Sequence, residues 1–358
     1  LRADRGEGRA RMKAVIFKEH GGPEVLQLAE VREPQIGPGE ILVRVRACAL
    51  NHLDLWIRMG IPGIEVPLPH ISGSDIAGEI VKIGDEAVSR FQDLSVGEKV
   101  LLNPGISCGH CAQCAAGKDS YCREYTLLGY KVDGGYAEYV KAPAANALPI
   151  PAYMNFEEAA AFPLVYLTAW HMLVTRASIK PGEQVLVLGA GSGVGSAAIQ
   201  IAKATGARVI ATAGTEAKLA KAKQLGADEA IVHGNREWSR DVRQLTGKRG
   251  VDIVFEHVGQ KTWDESLKSL AAGGRLVTCG ATTGYEGKID IRYLFSRQLS
   301  ILGSYMGGRT ELLAVLQFGE RYKLKPVIDR VFPLARAADA QRHLESREQF
   351  GKVVLKVE

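Results

Sequence analysis

The sequence predicts an α/β chain in two parts, a β-rich domain followed by a doubly wound parallel-sheet domain. Three observations point there. Between Met12 and about Leu148 short alternating strands are broken by recurrent Gly and Pro. From Phe156 an alanine-rich helical stretch gives way to unbroken apolar strands alternating with amphipathic helices, the pattern of a parallel sheet covered on both faces. At about 100–200 residues per domain, 358 residues also suffice for two cores.

In chain order, residues 1–11 carry Arg2, Arg5, Arg9 and Arg11 with no apolar stretch behind them. They read as a tail rather than a secretory signal, and the fold is expected to start at Met12. Strands follow at Ala14–Phe17, Ile41–Val45, Ala77–Val81 and Lys99–Leu102, the composition of a barrel or sandwich. Asn51 to Met59 fits a short helix with Asn51 as its cap. In the second part, strands at Val185–Leu188, Val209–Thr212, Ala230–Val232, Val251–Phe255, Arg275–Cys279 and Ile301–Leu302 alternate with helices such as Val194–Thr205 and Glu216–Leu225. A helix at Thr310–Phe318 and strands near Pro326–Ile328 and Lys352–Leu355 close the chain, and periodicity alone assigns them to neither part.

Apolar residues make up 46% and charged residues 24%, which supports packed cores rather than disorder. The net charge of +5 includes the arginine excess of the tail and forms no dense basic stripe, which argues against a nucleic-acid partner. No apolar run reaches the roughly 18–20 residues of a membrane span, Ala159–Trp170 being broken by Pro163, so no membrane partner is expected. Six cysteines are too few for a disulfide scaffold, and a reducing, cytoplasmic compartment is expected.

Four of those cysteines, Cys108, Cys111, Cys114 and Cys122, are spaced C-x2-C-x2-C-x7-C in a loop of small and polar residues. Four thiolates converging on one tetrahedral ion make a closed, structural zinc site; an iron–sulfur cluster or free thiols are the alternatives. Cys48 and Cys279 stand alone and read as packing residues.

After the strand ending at Leu188 comes Gly189-Ala190-Gly191-Ser192-Gly193-Val194-Gly195, running directly into a helix. Glycines there let the backbone approach a pyrophosphate, whose charge meets the amides of the helix N-terminus. The candidate contacts are Gly189, Gly191, Ser192, Gly193 and Val194. An NAD site carries an acid about 20 residues on. Here the second strand runs into Ala213-Gly214-Thr215, with no acid until Glu216 and with Lys218 in the next helical turn. Gly214, Thr215 and Lys218 are therefore expected at a ribose 2′-phosphate, favouring NADP(H) over NAD(H).

From Met12 onward the chain resembles the medium-chain dehydrogenase/reductase superfamily. The glycine turn and the cysteine lobe carry the resemblance, with Pro163-Leu164-Val165-Tyr166-Leu167-Thr168-Ala169-Trp170 and Gly303-Ser304-Tyr305-Met306-Gly307. It implies a GroES-like catalytic domain over 12–157, completed by 307–358, around a Rossmann domain over 158–306, with the active site in the cleft between them. It also implies nicotinamide contacts from Thr168, Val258, Gly280, Ala281, Gly303 and Ser304, and a homodimer or homotetramer paired along Leu299–Tyr305.

Where the zinc alcohol dehydrogenases of that superfamily place a catalytic cysteine and histidine, this chain has Asn51 and Ser74, and the third ligand position falls near Pro163 and Leu164. The stretch Asn51 to Gly60 is similar instead to the quinone oxidoreductase and zeta-crystallin branch, which works without a catalytic metal but often has tyrosine where Trp56 stands. The expected activity is thus NADPH-dependent hydride transfer to a small molecule, a quinone or an α,β-unsaturated carbonyl. Asn51 would donate to the developing oxygen, solvent or His52 would supply the proton, and Asp54 joins them as a candidate catalytic residue. Two alternatives stay open: an alcohol or aldehyde dehydrogenase with a rearranged zinc on Cys48, His52, Asp54 and Asp75, and a nucleotide-binding protein without turnover.

Overall fold

The computed structural model describes residues 10–234 and 237–358. Of the expected tail, residues 1–9 lie outside the described residues, and the first strand begins at Arg11. The chain divides into two compact units: one runs to Leu164 and resumes over Ile328–Glu358, and the other is Val165–Val327.

In the first unit Arg11–Ile16 pairs antiparallel with Gln27–Arg32. A seven-stranded sheet runs in the order Ile328–Pro333, Lys352–Lys356, Glu40–Ala49, Asp75–Ile83, Lys99–Leu102, Ala147–Pro149, with Tyr139–Pro143 also paired to Glu40–Ala49. Inward residues such as Ile41, Val43, Ile76, Ile80, Val100 and Val353 alternate along these strands and fill its core. The helix His52–Met59 follows directly from Glu40–Ala49, which sets its first residues against the start of Asp75–Ile83.

The second unit is a six-stranded, wholly parallel sheet. Its order is Glu229–Val232, Arg208–Ala213, Gln184–Val187, Val251–Glu256, Leu270–Thr278, Ser300–Gly303, in chain order 3-2-1-4-5-6. Val185, Leu186, Val187, Val209, Ile210 and Ile253 are all fully buried, as strands covered on both faces require. The first crossover is the helix Gly193–Ala204, the second Glu216–Gln224.

The units are not cut at the expected residues. The helix Arg309–Tyr322 belongs to the second unit, where Glu311 lies 2.8 Å from Nδ1 of His171 and the Phe318 ring packs on Trp170 at 5.1 Å. Its sequence periodicity reports an amphipathic helix but not which core receives the apolar face. Only the chain from Ile328 returns to the first unit, so that unit extends to 164 rather than 157 and resumes at 328 rather than 307. Among the described residues no helix is long and apolar enough to cross a membrane.

Candidate functional site

The cysteine lobe is a loop whose base is closed by antiparallel pairing of Gly105–Ile106 with Thr126–Leu127. The sulfurs of Cys108, Cys111, Cys114 and Cys122 all lie within 4.8 Å of one another, with Cys108 to Cys114 at 3.9 Å and Cys111 to Cys114 at 3.5 Å. Ligands about 2.3 Å from a tetrahedral zinc stand roughly 3.8 Å apart, so this donor set fits the ion and leaves it no open position. Backbone N–H groups of His110 and Cys111 pull the Cys108 thiol down to about 6, presenting a thiolate. Zinc held by these four cysteines would tie the loop to itself.

The glycine turn sits at the carboxyl end of the first strand of the parallel sheet. Gly189 has φ +57°, and a Cβ there would lie 2.9 Å from Cε1 of His257, so only glycine fits. A Cβ on Gly195 would meet the Gly189 carbonyl at 2.4 Å, which is how closely helix and strand approach. Ser192 caps the helix by accepting from Gly195 N at 2.9 Å; Gly191 before it is buried, and Gly193 and Val194, half-buried, open the helix. This cradle fits a pyrophosphate.

Register gathers the remaining cofactor candidates of this unit. Glu256 pairs with Thr278, and Thr278 with Gly303, so Val258, Gly280, Ala281 and Ser304 all follow strands that end side by side. Glu256 is fully buried and organises the turn after its strand. It accepts from the N–H of Val258 at 2.6 Å and of Gly259 at 3.0 Å, and from the hydroxyls of Thr262 and Ser266 at 2.9 and 2.7 Å. The Ser304 hydroxyl oxygen is buried without a hydrogen-bond partner, an orphan that a ligand amide would satisfy. Thr168 is 6% exposed with its hydroxyl 3.8 Å from the Met306 sulfur.

At the second strand, Gly214 has nothing within 4 Å of a would-be Cβ, and Thr215 caps the helix that carries Lys218. His233, which the sequence reading passed over, pairs its N–H with Ala213 O at 3.0 Å and sets Nδ1 2.9 Å from the Thr212 hydroxyl. Burial, with the His257 and Lys218 charges, lowers its pKa, so it stands neutral beside Gly214 at neutral pH.

In the first unit the three candidate catalytic residues open one helix. Asn51 is the N-cap, but its backbone oxygen rather than its side chain accepts the Asp54 N–H, at 3.0 Å; Asp54 Oδ2 accepts the Asn51 N–H at 2.7 Å and its Oδ1 the Gly73 N–H at 3.1 Å. Asp54 has no exposed surface, and burial pushes its carboxyl up to about 6. It braces backbone and is not open to a substrate. The Asn51 side chain, freed from capping, donates from Nδ2 to Asp75 Oδ2 at 2.9 Å. His52 is half-buried, its ring 6.3 Å from that of Trp56, and Trp56 and Met59 are 37% and 49% exposed on the same helix.

Sequence reasoning missed Lys352. Its Nζ donates to Asn51 Oδ1 at 2.7 Å and to Asp75 Oδ2 at 2.8 Å, and Asp75 Oδ1 accepts the Leu164 N–H at 2.8 Å. The one local signal was a lysine opening a strand whose next three residues, Val353 to Leu355, are apolar. Among the described residues, no three of Cys48, His52, Asp54 and Asp75 bring ligand atoms within 4.8 Å of one another, so the rearranged zinc site is not assembled. Cys48 is buried and its thiol pushed up by that burial, and burial raises Cys279 to about 12, so neither is a nucleophile.

Comparison with known proteins agrees with this architecture. Residues 37–152 match the alcohol dehydrogenase GroES-like domain and residues 193–321 the zinc-binding dehydrogenase family. An NAD-dependent alcohol dehydrogenase of Sulfolobus acidocaldarius is 35% identical over 97% of this chain and 100% of its own length. Human quinone oxidoreductase is 33% identical over 97% of this chain and 98% of its own. A crystal structure of an NAD-dependent alcohol dehydrogenase superposes with a TM-score of 0.93 at 49% identity, covering 97% of this chain and all of that one. Two matched domains and relatives aligned over nearly the whole length leave one assignment: the chain is an oxidoreductase of the medium-chain dehydrogenase/reductase family, alcohol dehydrogenase-like.

Proposed function

We propose that this chain transfers a hydride from NADPH to a quinone or an α,β-unsaturated carbonyl without a catalytic metal. The observation that carries the reading is the surroundings of Asn51: a carboxylate and an ammonium hold its side chain, and no group of three metal-ligating side chains gathers there among the described residues. Oxidising a saturated alcohol calls for a Lewis acid or base to make the alkoxide, whereas a conjugated carbonyl is already polarised for attack. A nicotinamide held by the glycine turn supplies the hydride.

This chain's residues then have three tasks. Asn51 donates its second amide N–H to the oxygen on which negative charge develops. Trp56 and Met59 offer an apolar wall that orients a flat substrate. His52 or solvent returns the proton to the reduced product.

The preference for NADPH rests on the acid-free strand end at Ala213, the open space beside Gly214, and Lys218 with His233 near it. Two copies paired along Leu299–Tyr305 would cover the 36% exposed Ile301 of the edge strand Ser300–Gly303 and the 56% exposed Tyr305 just past it. The reading also places the protein in a reducing compartment and gives it neither nucleic acid nor membrane as partner.

A second reading, zinc-dependent alcohol oxidation, is favoured by the names of the relatives, several of which are alcohol dehydrogenases. One set of assays separates them. Purified protein is given NADPH or NADH with quinones and enones, and NAD+ or NADP+ with primary and secondary alcohols, and zinc per chain is measured. Turnover of quinones or enones with about one zinc supports the proposal; alcohol oxidation with about two overturns it.

A further inference from the structure

Lys352 opens the strand Lys352–Lys356, and its side chain is 3% exposed against a fully buried Asp75. With Asn51 they close a triangle: ammonium to amide oxygen at 2.7 Å, ammonium to carboxylate at 2.8 Å, amide nitrogen to the same carboxylate oxygen at 2.9 Å. Turning the amide over would face its NH2 against the ammonium and its oxygen against the carboxylate, donor to donor and acceptor to acceptor. Only one orientation is left. One N–H of Asn51 goes to Asp75 and the other remains to donate, since a primary amide carries two. An ammonium hydrogen-bonded to the amide oxygen also draws density from the nitrogen, which makes the remaining N–H a stronger donor. Fold stability does not call for this arrangement, because a packed apolar pair would fill the same space at lower desolvation cost.

We propose that Lys352 is a positioning residue for hydride transfer: it locks and polarises the Asn51 amide, so that Asn51 meets the substrate oxygen as its charge develops. The inference rests on the reading of Asn51 as the donor that touches substrate. Lys352 itself touches only Asn51 and Asp75 among the groups of this cluster.

A double-mutant cycle on the full-length, zinc-loaded enzyme tests it, with Lys352→Met, Asn51→Ala and the two combined. The cycle is run on whichever substrate class the wild type turns over. Lys352→Met is expected to lower kcat by about 10- to 100-fold, the range for weakening one oxyanion donor, while the KM for cofactor stays within about twofold. In the Asn51→Ala background the same change is expected to cost less than about threefold, because the residue it acts through is gone. Losses that multiply, or an unchanged kcat in Lys352→Met, overturn the proposal. Wild-type turnover of alcohols alone would instead sink the substrate reading while leaving the cycle to decide on Lys352.

If Lys352→Met does not fold, the wild type answers by itself. Its Asn51 side-chain amide resonance, assigned by its loss in Asn51→Ala, is expected to show two well-separated protons in slow exchange with water. A pair with the shifts and the fast water exchange of an exposed asparagine overturns the lock.

Discussion

The ammonium of Lys352 lies 2.7 Å from the carboxamide oxygen of Asn51, although 301 residues separate the two along the chain. Between them stands Asp75, whose two oxygens accept from Lys352, Asn51 and the Leu164 backbone. The pair therefore sits where three distant pieces of sequence meet, and several measurable consequences depend on it.

Asp75→Asn is expected to destabilise the first unit by about 3–5 kcal/mol, because it leaves the Lys352 charge buried without its counter-ion. Denaturant midpoints of variant and wild type measure this. A loss below about 1 kcal/mol would mean that the ion pair does not hold the fold.

Asp54 makes part of the stability depend on pH. Its folded value near 6 lies above the ordinary 3.8, so between about pH 4 and pH 6 the folded chain holds this proton more tightly than the unfolded chain. The contribution is complete below about pH 4 and is lost as pH rises through 6; it amounts to at most about 3 kcal/mol. Compared with Asp54→Asn, the wild type should therefore lose ground between pH 4 and pH 7 in urea unfolding. A difference between the two proteins that stays constant across that range would remove Asp54 as the cause.

The cysteine lobe should hold one zinc per chain, and Cys114→Ser should lose it. Because the ion closes a loop and has no open position, the expected effect is protease cleavage within residues 108–122. Turnover measured before any cleavage should change less than about threefold. Loss of turnover in step with loss of metal would assign the zinc a chemical role.

If Lys218 meets the 2′-phosphate as proposed, Lys218→Ala raises the KM for NADPH about tenfold and that for NADH less than twofold, since only the former carries that group. Equal changes for both cofactors would take Lys218 out of the discrimination.

Gly195→Ala tests the cradle. Its Cβ would come 2.4 Å from the Gly189 carbonyl, which has no room to yield, so helix and strand must part. Cofactor affinity, followed by fluorescence titration, is expected to fall at least tenfold, on the order of 1.4 kcal/mol. Near-normal binding would show that the turn does not hold the pyrophosphate.

Features that are local in sequence were legible before the fold was known. The spacing of Cys108 to Cys122, the glycines from Gly189 to Gly195 and the apolar strands of the second unit each encode geometry within a few residues of themselves. The cofactor candidates Val258, Gly280 and Ser304 came from the family resemblance, and in the structure all three follow strands that end side by side in the parallel sheet. Other properties lie outside any short window. Asn51 reads equally as a helix cap and as a donor, and only the distant Asp75 and Lys352 show that its side chain is turned away from capping. Lys352 shows nothing of its role in its own strand, because its partners come from Asn51 and Asp75. The helix Arg309–Tyr322 went to the wrong core for the same reason: its apolar face is plain, but its partner His171 is 140 residues away.

The strand Lys352–Lys356 lies inside its sheet, between Ile328–Pro333 and Glu40–Ala49, rather than at an edge. For a chain made from its N-terminus, this gives the two units different birth orders. The second unit is wholly synthesised by Val327, whereas the first waits with a gap in its sheet until Lys352–Lys356 has followed. A nascent chain halted soon after Val327 would thus carry the glycine turn on a finished parallel sheet but no Lys352 at Asn51.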